Sequence, residues 1–137
     1  SRGQTQATLI PKGAGGARTI MRILKNGGFV QMAVDQKMNT GLSIPFLGRP
    51  AMTGDAVARL ALRHGCALLP VHTERLEGCR FRVTIEPPWM PEDTGNQEAD
   101  IHTALERVNQ TMGEWIKKNP GQWLWLHNRW PKDEDQA

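Results

Sequence analysis

The chain has 137 residues, about the size of one domain, with a hydrophobic fraction of 39% and a charged fraction of 23%. These fractions are typical of globular proteins and exclude a largely disordered chain. No apolar run approaches the roughly 20 residues of a membrane-spanning helix, and two cysteines are too few for a disulfide scaffold or an all-cysteine zinc cluster.

The net charge of +3 is unevenly distributed along the chain. The first 82 residues carry twelve basic and four acidic side chains, whereas the remaining 55 carry five basic and ten acidic ones. A basic region of this kind indicates an anionic partner, which could be a phosphate, an acidic protein, an anionic membrane surface or a nucleic acid. The alternative is that the charges only solvate the surface.

Glycine and proline divide the first part of the chain into short elements. A short strand is predicted over residues 7–10, and a helix over residues 14–25, where apolar residues recur on one face. The glycines after Asn26 end this helix, since glycine accepts the left-handed geometry of a helix C-terminus. The apolar run Phe29–Val34 is predicted to be a buried strand of an α/β sheet.

Asp35 and Gln36 follow this predicted strand at its carboxyl end. Ligands of open α/β sheets bind outside the carboxyl ends of the strands, so this pair is the first candidate site. The alternative is that Asp35 only caps a turn.

Residues 38–52 are predicted to form a loop, because they contain two glycines and two prolines. The segment is unusually apolar for a loop, so it either packs over the core or lines a groove for an apolar ligand. A helix is predicted to follow over residues 54–64, with Thr53 as its N-cap.

Two strands and the longest helix are predicted in the second half. Residues 67–73 form an apolar strand, and residues 80–86 alternate in the way typical of a half-buried antiparallel strand. The helix over residues 98–118 has an apolar seam formed by Ile101, Leu105, Val108, Met112 and Trp115. The predicted fold class is therefore α/β, with one mixed β-sheet flanked by helices.

The sequence lacks the patterns that hold metals and nucleotide cofactors. The glycine-rich residues 13–16 do not have the spacing of a dinucleotide or phosphate-binding loop. No spacing of histidine, cysteine and carboxylate residues resembles a metal site. We therefore expect no metal ion and no cofactor.

His72 and Glu77 form a His-x-x-x-x-Glu pattern. In such a pair the carboxylate orients the imidazole, which takes a proton from an acceptor hydroxyl. Here His72 falls within a predicted strand and Glu77 at the following turn, and an odd offset along a strand places side chains on opposite faces. His72 and Glu77 are therefore kept as an alternative catalytic dyad, against which this geometry argues.

Three tryptophans, Trp123, Trp125 and Trp130, lie close together in the sequence near the end of the chain. Tryptophan combines a large apolar area with a polar N–H, so it suits interfaces, including that of a membrane. The alternative is that this segment simply docks on the core.

Several motifs occur together in a fixed order. They are Asp35-Gln36-Lys37, Ile44-Pro45-Phe46-Leu47-Gly48-Arg49-Pro50-Ala51-Met52-Thr53, Ala67-Leu68-Leu69-Pro70-Val71, Glu74-Arg75-Leu76-Glu77-Gly78 and Gln122-Trp123-Leu124-Trp125-Leu126-His127-Asn128-Arg129-Trp130. Over residues 10–131 the chain resembles the bacterial lipid A biosynthesis acyltransferases of the lauroyl/myristoyl type, a branch of the lysophospholipid acyltransferase superfamily.

The resemblance implies a three-layer α/β enzyme at the cytoplasmic face of the bacterial inner membrane. Such an enzyme would move a fatty acyl group from acyl carrier protein to a hydroxyl of a phosphorylated lipid A precursor. The family's catalytic His-x-x-x-x-Asp/Glu lies upstream of the Asp-Gln motif, in a context that no residue of this chain matches. We therefore expect residues 1–131 to be the C-terminal part of a single acyltransferase domain, without the N-terminal part of the family fold, and residues 132–137 to be a disordered acidic tail.

The resemblance also implies which residues bind substrate. Asp35 and Gln36 would shape the site. Three arginines are candidates for phosphate contact because a guanidinium suits bidentate recognition, namely Arg49, Arg75 and Arg129. Each of these arginines could instead form a surface ion pair. Asn128 departs from the family pattern, in which many members have arginine.

A second hypothesis, of a different class, is a non-catalytic basic α/β module that binds anionic lipid or an acidic protein partner. Nucleic acid is not an expected partner, because the basic residues are not interleaved with aromatic ones.

Overall fold

The computed structural model describes residues 8–11, 13–125 and 128–130. Its elements are three α-helices, four strands and one 3-10 turn: α1 (Ala14–Lys25), β1 (Lys37–Phe46), β2 (Arg49–Thr53), α2 (Ala56–His64), β3 (Val71–Arg75), β4 (Phe81–Ile85), α3 (Gln97–Lys118) and the turn at Pro120–Gln122. The predicted α/β class is confirmed. Among the described residues, no helix combines the length and the apolar character that a bilayer crossing requires.

The chain divides into two compact units, with the boundary between Met32 and Ala33. The first unit contains α1, whose predicted bounds are confirmed. Gly16 of this helix packs against the carbonyl of Pro11, where no side chain would fit. Residues 8–10 of the strand predicted at the start are not in a strand, and residue 7 lies outside the described residues.

The predicted strand Phe29–Val34 is wrong, since these residues have no strand pairing within the described chain. The side chain of Phe29 is 94% exposed, whereas a buried strand would cover it. An apolar run of this length is compatible with a strand, but a strand also needs a neighbouring strand to pair with, and the run does not reveal whether one is present. Within the described part of the chain, the strands pair antiparallel in two separate two-stranded sheets, without the parallel pairing of the predicted mixed sheet.

β1 and β2 form a hairpin where a loop was predicted over residues 38–52. Leu47 and Gly48 make its two-residue turn, and both have the positive φ (51° and 84°) that a type I′ turn requires. Pro45 and Pro50 lie opposite each other in the register. Proline is tolerated where its missing N–H does not break the ladder, so the two prolines fit a two-stranded sheet.

The second unit has two clusters of core residues, and α3 contributes to both. One cluster consists of Ile44, Ala58, Ile101, Ala104 and Leu105. The other consists of Phe46, Ala51, Met112 and Ile116. The β1–β2 hairpin therefore packs over the core. This is the first of the two alternatives for the apolar segment 38–52, the other being that it lines a groove for an apolar ligand. The predicted helix over residues 98–118 is confirmed, and α2 starts two residues later than predicted, with Asp55 rather than Thr53 as N-cap.

β3 and β4 form the second hairpin, as the alternation in residues 80–86 predicts. The strand predicted over residues 67–73 begins only at Val71. Before it, Leu68 makes a single β-bridge with Trp89. The predicted acidic tail, residues 132–137, lies outside the described residues. That residues 1–131 belong to a single acyltransferase domain stays a prediction.

Candidate functional site

A buried polar cluster lies where β2 ends, and Thr53 is at its centre. The hydroxyl of Thr53 donates to the carbonyl of Ala51 (3.0 Å). It accepts from Nδ2 of Asn109 on α3 (3.1 Å) and from Nη2 of Arg129 (3.0 Å). One donor and two acceptor positions are all that a hydroxyl has, so Thr53 is fully satisfied.

Arg129 connects the C-terminal segment to the hairpin. Only 2% of the residue is exposed, and its Nη1 donates to the carbonyl of Met52. The guanidinium also lies over the ring of Phe46, with 5.2 Å between Cζ and the ring centroid. Its Nε and the Oδ1 of Asn109 are buried with no hydrogen-bond partner among the described residues.

The charge of Arg129 is only partly compensated. Burial lowers the pKa of the guanidinium from its ordinary value because the charged form loses water, and the nearby carboxylate of Asp35 raises it again. Asp35 is itself exposed. The structure therefore brings two of the predicted site residues, Asp35 and Arg129, into one electrostatic environment. We call Asp35, Thr53, Asn109 and Arg129 the polar corner.

Asp35 and Gln36 do not lie at the carboxyl end of a strand, where the sequence places them. They precede β1 instead of following a strand, and both are exposed. Lys37, the first residue of β1, lies opposite Thr53 in the register, which brings the chain back to the end of β2. The register then shifts, and Leu42 also lies opposite Thr53. The two strands close around a bulge that contains Gly41.

The three arginines expected at the site lie in different segments of the fold. Arg49 is exposed at the start of β2, opposite Phe46 in the hairpin. Arg75 is exposed at the end of β3, in the other sheet. Arg129 is buried, and its Nη groups are used by the hairpin, so its contacts are those of a residue that holds two segments together.

His72 lies against Trp115 and away from Glu77. The two rings stack with 4.3 Å between centroids and 24° between planes. Nε2 of His72 is 3.8 Å from the carboxylate of Glu74, and its Nδ1 is buried without a partner among the described residues. Glu77 lies in the turn, is 97% exposed and is 4.0 Å from Arg80. The carboxylate within ion-pair range of His72 is thus that of Glu74.

Aromatic side chains join the C-terminal segment to the second core cluster. Trp123 and Trp130 lie beside Phe46, at centroid distances of 6.1 and 5.6 Å. Nε1 of Trp130 donates to the carbonyl of Phe46 (3.2 Å). Trp125 stacks on Trp130 and remains half exposed. These contacts are those of a segment docked on the core.

A depression of about 400 Å³ lies elsewhere in the second unit, between the end of α2 and the start of α3. The carboxylate of Asp100, which lines it, accepts from the N–H and hydroxyl of Thr94. None of the predicted site residues lines it. Within the described ranges, no group of three or more histidine, cysteine, aspartate or glutamate side chains is placed to hold a metal ion.

A family model described as bacterial lipid A biosynthesis acyltransferase matches residues 1–132, nearly the whole chain. The chain belongs to this family. The recognition from sequence motifs is thereby confirmed, and membership assigns the chain to the acyltransferases of lipid A biosynthesis. No curated protein gives a significant match to the chain.

Two residues of the polar corner in this lipid A acyltransferase chain were not identified from the sequence. The sequence predicts Thr53 as a helix N-cap and gives no role to Asn109. Asn109 did give a signal, because it is a polar residue four positions after Leu105 and three before Met112, on the buried face of α3. A polar side chain at such a position must find partners inside the protein.

Proposed function

We propose that this chain serves the transfer of a fatty acyl group from acyl carrier protein to a hydroxyl of a phosphorylated lipid A precursor, at the cytoplasmic face of the inner membrane. The observation that carries the proposal is the family match over residues 1–132. The basic first part of the chain supports it, since both acyl carrier protein and the phosphorylated acceptor are anionic.

The chemistry needs a general base at the acceptor hydroxyl. In the transfer, the acceptor oxygen forms an ester bond to the acyl carbonyl, the carbon–sulfur bond breaks, and the hydroxyl proton passes through the base to the leaving thiolate. His72 is stacked under Trp115 with one ring nitrogen buried, so it is poorly placed for this role. We therefore assign the base to the family's His-x-x-x-x-Asp/Glu motif, whose context these 137 residues do not contain.

The residues of this chain would then shape the site. Arg129 holds the end of β2 through its bonds to Met52 and Thr53. Asp35 and Gln36 are exposed and can meet a substrate. Arg49 and Arg75 lie at exposed positions and would contact phosphate, whereas Arg129 acts as a positioning residue.

The first test is an acyl-carrier-protein thioester assay on the 137-residue chain with a phosphorylated lipid A precursor. We expect no acyl transfer above the uncatalysed rate, followed as a mass increase of the acceptor. Turnover that is lost in His72→Ala would contradict this expectation and assign the base to His72. A longer chain with a family N-terminal segment before residue 1 should transfer the acyl group, and failure of that chain would count against the proposed activity.

The burial of Nδ1 of His72 also favours a second candidate, the non-catalytic module that binds anionic lipid or an acidic partner. Flotation with vesicles of neutral and of anionic phospholipid separates the two candidates. Strong binding to anionic vesicles, together with an inactive longer chain, would favour the module.

A further inference from the structure

The outer edge of β4 is open. Within the described residues, β4 pairs only with β3. The N–H of Glu86, just after β4, donates to the carbonyl of Pro70, just before β3 (2.9 Å). The backbone groups of the even-numbered residues of β4 therefore point toward β3. Because bonded and non-bonded positions alternate in an antiparallel ladder, the backbone groups of Phe81, Val83 and Ile85 point away from β3.

The opposite edge of the hairpin is occupied at one end. The side-chain amide of Gln122 accepts from the N–H of Arg75 (2.8 Å) and donates to its carbonyl (3.0 Å). These are the two bonds that a neighbouring strand would make. Among the described residues, the unbroken row of open backbone groups therefore belongs to β4.

The side chains at the open positions of β4 are apolar and face solvent. Phe81, Val83 and Ile85 are 61%, 60% and 64% exposed. They stand on one face of the hairpin because side chains alternate along a strand. An open edge with exposed apolar side chains is a template for another strand, and proteins normally protect it with charge or cover it.

The β4 sequence is complementary to itself when two copies run antiparallel about Val83. Phe81 of one copy then lies opposite Ile85 of the other, and Arg82 lies opposite Thr84. Aromatic and β-branched side chains form favourable cross-strand pairs, and no like charges meet within the strand.

The flanking charges fit the same alignment. Arg80 before the strand lies opposite Glu86 after it, and the two-fold axis repeats this pair. A parallel alignment in register would instead place each charge opposite its own kind. Arg80 is largely exposed. Its Nε donates to the carbonyl of Glu77 (3.4 Å), and its Nη2 is 4.0 Å from the carboxylate of Glu77, so a closer carboxylate can still bind the Nη groups.

We propose that two copies of this chain pair through β4, antiparallel and centred on Val83, to form a continuous four-stranded sheet. Each of the three outward residues exchanges two hydrogen bonds with the residue opposite it in the second copy. The proposal concerns assembly and does not rest on the proposed acyl transfer. It is therefore tested by measuring the molar mass of the chain in solution and not its activity.

The first experiment blocks the edge without breaking the hairpin. Val83→Pro removes an N–H that β3 does not use. Thr73→Pro is the matched control, because the backbone of Thr73 also points outward, but from β3. The molar mass of the 137-residue chain is measured by light scattering after gel filtration. For wild type and Thr73→Pro it should rise from that of a monomer to that of a dimer as the concentration increases, whereas Val83→Pro should keep the molar mass of a monomer.

The second experiment tests the register. Arg80→Glu alone puts an acid opposite Glu86, and Glu86→Arg alone puts a base opposite Arg80, so each variant should dimerise at least about tenfold more weakly. A mixture of the two variants restores both opposite-charge contacts and should form the mixed dimer. Since Glu86 also accepts from Nε1 of Trp115 (3.3 Å), the thermal midpoint of each variant by circular dichroism controls for folding.

Three results would each overturn the proposal. One is a wild-type chain whose molar mass stays that of a monomer at every concentration. This result overturns the proposal even if the chain binds a foreign strand or lipid vesicles. Another is a folded Val83→Pro variant that still dimerises. The last is a mixture of folded Arg80→Glu and Glu86→Arg variants in which no mixed dimer forms.

Discussion

Arg129→Ala is expected to lower the free energy of unfolding by about 3 to 4 kcal/mol. The substitution removes the donors to the carbonyl of Met52 and the hydroxyl of Thr53 and leaves a void beside Phe46. It also releases the C-terminal segment from the end of β2. Denaturant unfolding followed by tryptophan fluorescence measures the loss.

Two further variants make the result specific. Arg63→Ala changes an exposed arginine on α2 and should alter the free energy of unfolding by no more than about 0.5 kcal/mol. Arg129→Lys keeps the charge but lacks the two coplanar Nη donors of a guanidinium. Its decrease in the free energy of unfolding should therefore be intermediate. Equal stability of Arg129→Ala and Arg63→Ala would show that the polar corner does not hold the segment.

Gly41→Ala is expected to lower the free energy of unfolding by about 3 kcal/mol, through a steric clash inside the β1–β2 bulge. A β-carbon at this position would overlap the carbonyl oxygen of Thr53 and lie 3.0 Å from the carbonyl oxygen of Met38. Both neighbours are backbone atoms, so the clash is relieved only by moving a strand. Urea unfolding should show a lower midpoint with an unchanged slope.

Gly121→Ala is the matched control for this substitution, because a β-carbon there meets no atom within 4 Å. Its effect on unfolding should stay within about 0.5 kcal/mol. If Gly41→Ala proves as mild as Gly121→Ala, the bulge between Lys37 and Leu42 does not form as described.

The helices of this chain could be predicted well from its sequence. In α1 and α3 an apolar face recurs with the helical period and ends at Asn26 or Asn119, and both helices lie where predicted. Such local information suffices because a helix satisfies its own backbone.

The strands were harder to predict because a strand needs a partner. Phe29–Val34 has the composition of a buried strand but no pairing among the described residues. The β1–β2 hairpin was hidden because its prolines and glycines are typical of loops. Only the pairing of Pro45 with Pro50 and the positive φ of Leu47 show how they fit a ladder.

The site could be predicted in part. The motifs identified the family and pointed to Asp35 and Arg129, and the charge of Asp35 acts on the guanidinium of Arg129. That either residue binds substrate stays a prediction. The partners Thr53 and Asn109 are 56 positions apart in the chain, and no local pattern links residues that far apart. That Arg129 is buried follows from tertiary packing, which composition and spacing do not reveal.

The side-chain amide of Gln122 makes the two backbone bonds that a neighbouring strand would make to Arg75. Because the bonds come from a side chain, they do not continue along β3. A further strand would therefore find the Arg75 position of the β3 edge already bonded. If two chains pair through β4, each outer edge of the four-stranded sheet carries this glutamine at one end, which hinders the addition of another strand at that point.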